Sequence, residues 1–393
     1  MKFLQIVRPD ININFVGVRR IAYVISALIT MVGLASLIIK GGPNYGIDFL
    51  GGTVVQVKFS QTVPSAKVRE AAGQVGLDDA TVQSLGLENR EFLIRTSHSH
   101  IEGEELKARL LNSLGKVAAP AKAEVRRVEM VGPKVGNDLR QKALFAILYS
   151  LLFMAIYISG RFELKWVPPI VMAASLVFFS YLLYNVIGLG LSHVVMASFA
   201  LILLIMVALN LRYAMGAIVA LLHDVLVVMG IFSLFDLEVS LSMVAALLTI
   251  IGYSVHDTII VFDRIRENVR RAGRVPLEEL VNRSINQTLS RTILTSGTVL
   301  FVLVAFLILG GGVIREFALA MFIGVITGTY SSIFVASPIL LAWPRKKQAG
   351  GRWQPAAVAS GGAAPAAVEE APVAQEGPAP APDRRKKKYR VKK

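Results

Sequence analysis

Eight stretches of this chain are apolar over about 20 residues, the length that crosses a lipid bilayer. They fall at 21–39, 143–159, 167–188, 193–211, 214–235, 241–262, 293–311 and 317–342. Inside hydrocarbon, a helix is the only open-chain form that satisfies its own backbone groups, so each stretch reads as a spanning helix. A water-soluble helical protein has no use for eight such runs among 393 residues, of which 54% are hydrophobic and 18% charged. The expected fold class is a polytopic α-helical membrane protein.

The first stretch is followed by "IIKGGPNYG", which offers no small-x-small cleavage site, so it reads as a retained anchor. Lys2, Arg8, Arg19 and Arg20 precede it and place residues 1–20 in the cytoplasm. Threading eight helices from there puts "RFELK" (161–165), "NLRY" (210–213), "DRIRENVRRAGR" (263–274) and the tail from "PRKK" (344–347) on the same side. The opposite side receives "GLGLS" (188–192), "DLEVS" (236–240) and "GGVIRE" (311–316), which share one basic residue. Both termini are therefore expected inside. Arg264, Arg266 and Arg270 read as topology determinants at the cytoplasmic rim.

A formal net charge of +15 suggests nucleic-acid binding until its distribution is considered. Much of it lies on the inner loops and in "RRKKKYRVKK", at the end of an Ala/Pro/Gly-rich stretch too poor in apolar bulk to build a core. Residues 343–393 therefore read as a disordered linker and basic tail, whose partner is anionic lipid or the ribosome. There is no cysteine, which excludes disulfides, thiol catalysis and Cys-zinc sites. No phosphate-cradling Walker sequence is present, and no serine sits in a nucleophile-elbow setting. No cofactor is expected.

Between the first two stretches lies the only large polar segment, 41–140. "GGTVVQVKFS" (51–60), "ATVQSLG" (80–86), "REFLIRT" (90–96) and "AEVRRVEMVG" (123–132) read as strands. "SAKVREAAGQVG" (65–76) and "GEELKARLLNSLGK" (103–116) read as helices. The order β-α-β-β-α-β is that of an extracytoplasmic α+β, ferredoxin-like domain. His98 and His100 sit in a "TSHSH" loop that reads as a solvated turn and not a metal site.

Titratable residues inside the spans are the chemistry-bearing feature. An Asp at a helix centre costs about 2.5–3.5 kcal/mol even on permissive insertion scales, so an unpaired one is rarely idle. "ALLHDVLVV" (220–228) supplies His223 and Asp224, and "GYSVHDT" (252–258) supplies Tyr253, His256 and Asp257. Tyr253 and Asp257 share a helix face with Thr249. "SRTILTSGT" (290–298) aligns Arg291, Thr295 and Thr298, and an Asp257–Arg291 ion pair is expected. Two readings stay open: polar locks between helices, or a proton relay in which protonating Asp257 frees Arg291. Moving one charge through the field supplies about 2.3 kcal/mol per 100 mV, comparable to the cost of breaking such a pair. Metal binding by the two His-Asp pairs is disfavoured, because adjacent residues point to different faces of a helix.

Several motifs together carry a resemblance. They are "YGIDFLGGT" (45–53), "VGPKVGNDL" (131–139), "AIVALLHDVLVVMGIFSLF" (217–235), "AALLTIIGYSVHDTIIVFDRIREN" (245–268), "SINQTLSRTILTS" (284–296) and "GTYSSIFVASP" (328–338). With these the chain resembles SecF-type members of the SecD/SecF family of protein-export membrane proteins. The resemblance implies an RND-type helix bundle in the bacterial inner membrane and preprotein export driven by the proton motive force. It also implies a SecD-like partner, the SecYEG translocon with YajC and YidC, and an unfolded preprotein as substrate. The family's proton-path residues map onto Asp257 and Arg291, with His256, Tyr253, Asp224 and His223 beside them. Gly46, Asp48, Gly51 and Gly52 become a Gly-rich hinge.

Two departures stand out. His256 occupies the usual position of Asn, and the chain shows eight spans where six are usual, so 167–211 reads as an inserted helical hairpin. A proton-driven small-molecule or lipid exporter of the same superfamily, and a scaffold that only clamps partners, remain alternatives.

Overall fold

The computed structural model describes residues 11–77, 80–85, 89–96, 103–163, 167–271 and 275–342. His98, His100 and the basic tail lie outside them. The elements run α1 (Arg19–Ile39), α2 (Ile47–Leu50), β1 (Gly52–Phe59), α3 (Ser65–Gly73), β2 (Thr81–Leu85), β3 (Glu91–Thr96), α4 (Gly103–Val117) and β4 (Ala123–Val131). There follow α5 (Pro133–Ile158), α6 (Val167–Tyr181), α7 (Leu191–Ala208), α8 (Arg212–Leu234), α9 (Leu241–Arg271), α10 (Leu277–Leu309), α11 (Gly312–Ser331) and α12 (Ser337–Ala342).

The expected spans are corrected in number. Among the described residues six helices are long and apolar enough to cross a membrane, while Ile170–Val186 and His193–Ala208 are shorter apolar helices. This shorter pair packs on α5 and α8, burying Met172, Leu176, Ile202 and Met206 beside Leu148, Leu152 and Ala155. Ser180 and Ser198 hydrogen-bond across it at 2.9 Å. Two expected spans are also too short. The helices α9 and α10 run for 31 and 33 residues, about 45–50 Å, because charged residues continue both helices beyond the apolar stretch. Pro276 immediately precedes α10, and Glu278 and Glu279 sit in its first turn, where the helix dipole favours negative charge.

Small residues let the helices approach. Of α1, the described buried residues are Ala22, Ser26, Gly33 and Ser36, while Val24, Leu28 and Met31 are exposed. At the crossing with α8, a Cβ on Gly33 would lie 2.7 Å from the Cα of Gly230. Ser36 and Ser233 share a buried hydrogen bond of 2.8 Å beside it, and Tyr330 Oη donates to the Ala22 carbonyl at 2.9 Å. Small faces and hydroxyls hold this bundle, since lipid is as apolar as leucine. Gly324 and Gly328 likewise bring α11 onto Ile250 and Ser254 of α9.

The polar segment forms a four-stranded antiparallel sheet in the order β2-β3-β1-β4. One sheet face and helices α3 and α4 enclose a core of Val55, Val57, Phe59, Phe92, Ile94, Leu106, Leu110 and Leu114. Between Gln56 and Val57 the register with β4 shifts, so Arg126 bulges. The bulge lets Ala123, Val125 and Val128 all pack on the core despite their uneven spacing.

Four connections seat this sheet on the bundle. Tyr45 and Val239 form a parallel bridge, with Gly46 N donating to Val239 O at 2.9 Å and Val239 N to Asn44 O at 2.8 Å. Asp48 accepts from Leu241 N at 2.8 Å, capping the start of α9. Arg95 of β3 pairs with Glu238, where burial pulls its guanidinium below the ordinary value and the nearby Glu316 opposes that. Gly51 has φ +79°, and a side chain there would meet Pro133 Cα at 2.8 Å. Together with Gly136, whose Cβ would lie 2.9 Å from Gly51 N, it makes a backbone-to-backbone crossing that only glycine fits.

Replacing Gly230 with alanine is expected to overpack the α1–α8 crossing and cost about 1–3 kcal/mol. Gly252→Ala, where an added Cβ meets nothing, should not destabilise and should gain up to about 1 kcal/mol from the better helix propensity of alanine. Thermal unfolding of the purified chain in detergent distinguishes the two.

Candidate functional site

Four helices, α8 to α11, bring the intramembrane polar residues into one layer. Asp224 on α8 is fully buried. Its Oδ2 accepts hydrogen bonds from Ser254 on α9 at 2.6 Å and from Ser331 on α11 at 2.8 Å. His223 Nδ1 lies 3.0 Å from its Oδ1. Tyr330 stacks on His223 with ring centroids 6.1 Å apart, and its hydroxyl reaches α1. Both oxygens of Asp224 are therefore occupied by protein.

Asp257 is held differently. It is 1% exposed, and its Oδ2 accepts one hydrogen bond, from Ser296 on α10 at 3.2 Å. Thr329 on α11 donates to Ser296 at 2.8 Å and fixes that hydroxyl. Asp257 Oδ1 is buried without a hydrogen-bond partner among the protein atoms, and so is Thr292 Oγ1 on α10. His256 Nδ1 stands 3.8 Å away, beyond hydrogen-bond reach, with its ring largely exposed. Thus α11 serves both carboxylates from neighbouring positions, Ser331 for Asp224 and Thr329, through Ser296, for Asp257.

The expected Asp257–Arg291 ion pair is not formed. No nitrogen of Arg291 lies within the 4.0 Å of a carboxylate oxygen that defines a pair, and its side chain is exposed. Five residues separate Arg291 from Ser296, about 140° around α10, so the two point to different faces. Tyr253 does face α10, donating to the Thr295 carbonyl at 3.2 Å. Thr249 instead turns outward and bonds its own helix at Ala245 O. Thr249, Gly252 and His256 on α9, with Arg291 and Thr298 on α10, form an exposed polar stripe.

Sequence reasoning missed Ser254, Ser331, Ser296 and Thr329, each the hydroxyl partner of a carboxylate or of its donor. A signal was present: Ser284, Thr288, Thr292 and Ser296 recur every fourth residue on the buried face of α10, one position away from the outward Arg291–Thr295–Thr298 row. The Gly-rich motif is split by the structure. Asp48 and Gly46 contact the loop before α9, whereas Gly51 and Gly52, at φ +79° and +125°, carry the chain into β1. Among the described residues no group of three or more His, Asp or Glu side chains is placed to hold a metal ion.

Residues 111–189 and 179–346 match the family described as protein export membrane protein SecD/SecF, C-terminal, and residues 36–63 match the SecD/SecF GG motif. The chain belongs to the SecD/SecF family. Its relatives include the protein translocase subunit SecF of Calditerrivibrio nitroreducens, 36% identical over 86% of this chain and 96% of that protein. Another is the SecF subunit of Magnetococcus marinus, 39% identical over 86% and 94%. Among solved structures, SecDF, a translocon-associated membrane protein from Thermus thermophilus, superposes with a TM-score of 0.63 at 34% identity. The match covers 86% of this chain and 39% of that one. Within the SecD/SecF bundle of this chain, the two C-terminal family matches meet at 179–189, inside the α6–α7 hairpin.

Because Ser254 and Ser331 donate to the same oxygen of Asp224, each serine-to-alanine change should destabilise the bundle by about 1–3 kcal/mol. The double change should depart from the sum, since the two donors form one network. Thermal unfolding of single and double variants in detergent measures both.

Proposed function

We propose that this chain is the SecF-type subunit of a preprotein translocase accessory complex and uses the proton motive force to promote export across the bacterial inner membrane. The observation that carries the reading is Asp257: a buried carboxylate in a membrane-spanning helix, with one oxygen bonded and the other without a partner. A carboxylate so placed is a candidate to gain and lose a proton, because its charge decides which neighbouring groups can pack on the open oxygen. Protonation neutralises it, and deprotonation draws the nearby Arg291 inward, giving two packings of α9 against α10. His256 and Tyr253 flank this switch. Asp224, bonded at both oxygens, ties α8, α9 and α11 together beside this switch, with His223 on one of those oxygens.

A second helix bundle is the natural cover for the exposed stripe of His256, Arg291 and Thr298. Charged groups facing lipid are costly, and such residues in membranes characteristically face another helix or a water-filled cavity. A SecD-type partner fits that requirement, since the Thermus structure is of a SecDF protein more than twice as long as the matched region. The SecYEG translocon with YajC and YidC, and an unfolded preprotein, complete the proposed assembly. The shorter α6–α7 pair is an insertion relative to the six-helix pattern, packed on the α5 side and away from the stripe.

The sheet domain, ferredoxin-like in its element and strand order, lies outside the cell membrane on this reading, joined to the bundle by Gly46, Asp48, Gly51 and Gly52. Both termini lie in the cytoplasm, because Arg161, Arg264, Arg266, Arg270 and Arg271 gather at the opposite end of the bundle. The basic tail then meets anionic lipid or the ribosome.

Asp257→Asn tests the coupling. In vesicles containing the assembled complex, the part of preprotein translocation that depends on a proton gradient is expected to vanish, while assembly with the partner persists. Normal gradient-dependent translocation by this variant would reduce the polar layer to a set of helix locks.

A further inference from the structure

The buried face of α10 carries Ser284, Thr288, Thr292 and Ser296, one hydroxyl per turn over 12 residues, or about 18 Å. At its inner end the row reaches Asp257, through Ser296 at 3.2 Å. At its outer end Ser284 accepts from Asn268 at 2.8 Å, and Asn268 and Arg264 both donate to the exposed Gln287, at 2.8 and 2.6 Å. The row therefore runs from the buried carboxylate to an exposed polar cluster at the arginine-rich end of α9. Ser284 and Thr288 are bonded to main-chain carbonyls one turn back, as helix-packed hydroxyls usually are. The Thr292 hydroxyl, one turn of α10 before Ser296, has no hydrogen-bond partner, and neither has Asp257 Oδ1.

Leaving one buried polar atom unpaired costs about 1–3 kcal/mol, and here two occur on facing helices within about one turn of each other. Packing alone would favour valine at position 292, which has the same shape without the penalty. We propose that the α10 hydroxyl row is the route by which the proton leaves Asp257 for the cytoplasmic side, with Thr292 as the positioning residue. This inference rests on the proton-relay reading given above. Solvent water admitted along the row accepts the proton as the Oδ1–H bond breaks, leaving the carboxylate. Thr292 orients that water, since its hydroxyl accepts and donates at once. The proton then moves past Thr288 and Ser284 to solvent at Asn268 and Gln287.

The charged or titratable groups closest to Asp257 are His256 and Tyr253 on its own helix and, on the outward face of α10, Arg291. Asp224 and His223 on α8 stand behind Ser254, α11 adds Tyr330, and the arginine and acidic side chains of the α5 end, Arg161 and Glu163, lie beyond Asp263. A change in pH profile on altering Thr292, which does not titrate, therefore reports its effect on Asp257.

The test compares Thr292→Val, Thr292→Ser and Asp257→Asn in vesicles containing the assembled complex, reading gradient-dependent translocation against pH. Thr292→Val is expected to reduce the rate several-fold and shift the pH of half-maximal activity, with Thr292→Ser restoring both. If Thr292→Val matches the wild type while Asp257→Asn is inactive, the route is wrong and the relay stands. If Asp257→Asn is active, both fall. The chain contains no cysteine, so a second measurement does not depend on coupling. Single cysteines at 288 and 292 should react with 2-aminoethyl methanethiosulfonate from the arginine-rich side faster than a cysteine at the neighbouring apolar position, Leu289. Equal reactivity at all three overturns the proposal, including where Thr292→Val fails to assemble.

Discussion

A carboxylate buried among membrane helices must find its hydrogen bonds in protein, and the way two carboxylates do so organises this bundle. Asp224 is saturated by Ser254, Ser331 and His223, which ties α8, α9 and α11 together at one level. Asp257, three residues along α9 from Ser254, has a single donor. The saturated group costs little to keep where it is, and so serves as a fixed point. The half-satisfied group is the one with an oxygen still open to a further partner.

Close approach of the helices makes the hydrogen bonds reachable. Serine and threonine side chains are short, so their donors span two helices only where the backbones nearly touch. Gly328 permits α11 to lie against Ser254, and Gly33 and Gly230 permit the α1–α8 crossing that holds α8 in position. The glycines and the hydroxyls thus belong to one device, in which removing the first would strand the second.

Much of this was legible in the sequence. Apolar length located the six spanning helices, alternation located β1, and short β-rich runs located the other three strands among the described residues. The titratable residues were legible too, since an Asp in an apolar run has few innocent explanations. Their partners were not: Ser254 and Ser331 are 77 positions apart, and only the fold says that both point at Asp224. Arg291 misled because charge suggested a partner for Asp257, whereas the helical rotation between 291 and 296 hands that place to Ser296. The length of a stretch also misled around 167–211, where apolar composition does not reveal how short the ordered helices are.

The cap that Asp48 places on Leu241 has a mechanical reading. It anchors the outer end of α9 to the same short link that carries the sheet, while Asp257 sits 16 residues further along. At 1.5 Å per residue that is a lever arm of about 24 Å, so a 5° tilt about the capped end displaces Asp257 sideways by about 2 Å. That displacement is comparable to the difference between a made and a broken hydrogen bond. If the coupling proposed above operates, a small tilt of the sheet domain reaches the buried carboxylate along this arm, and it does so by straining the Ser254–Asp224 bond three residues short of it.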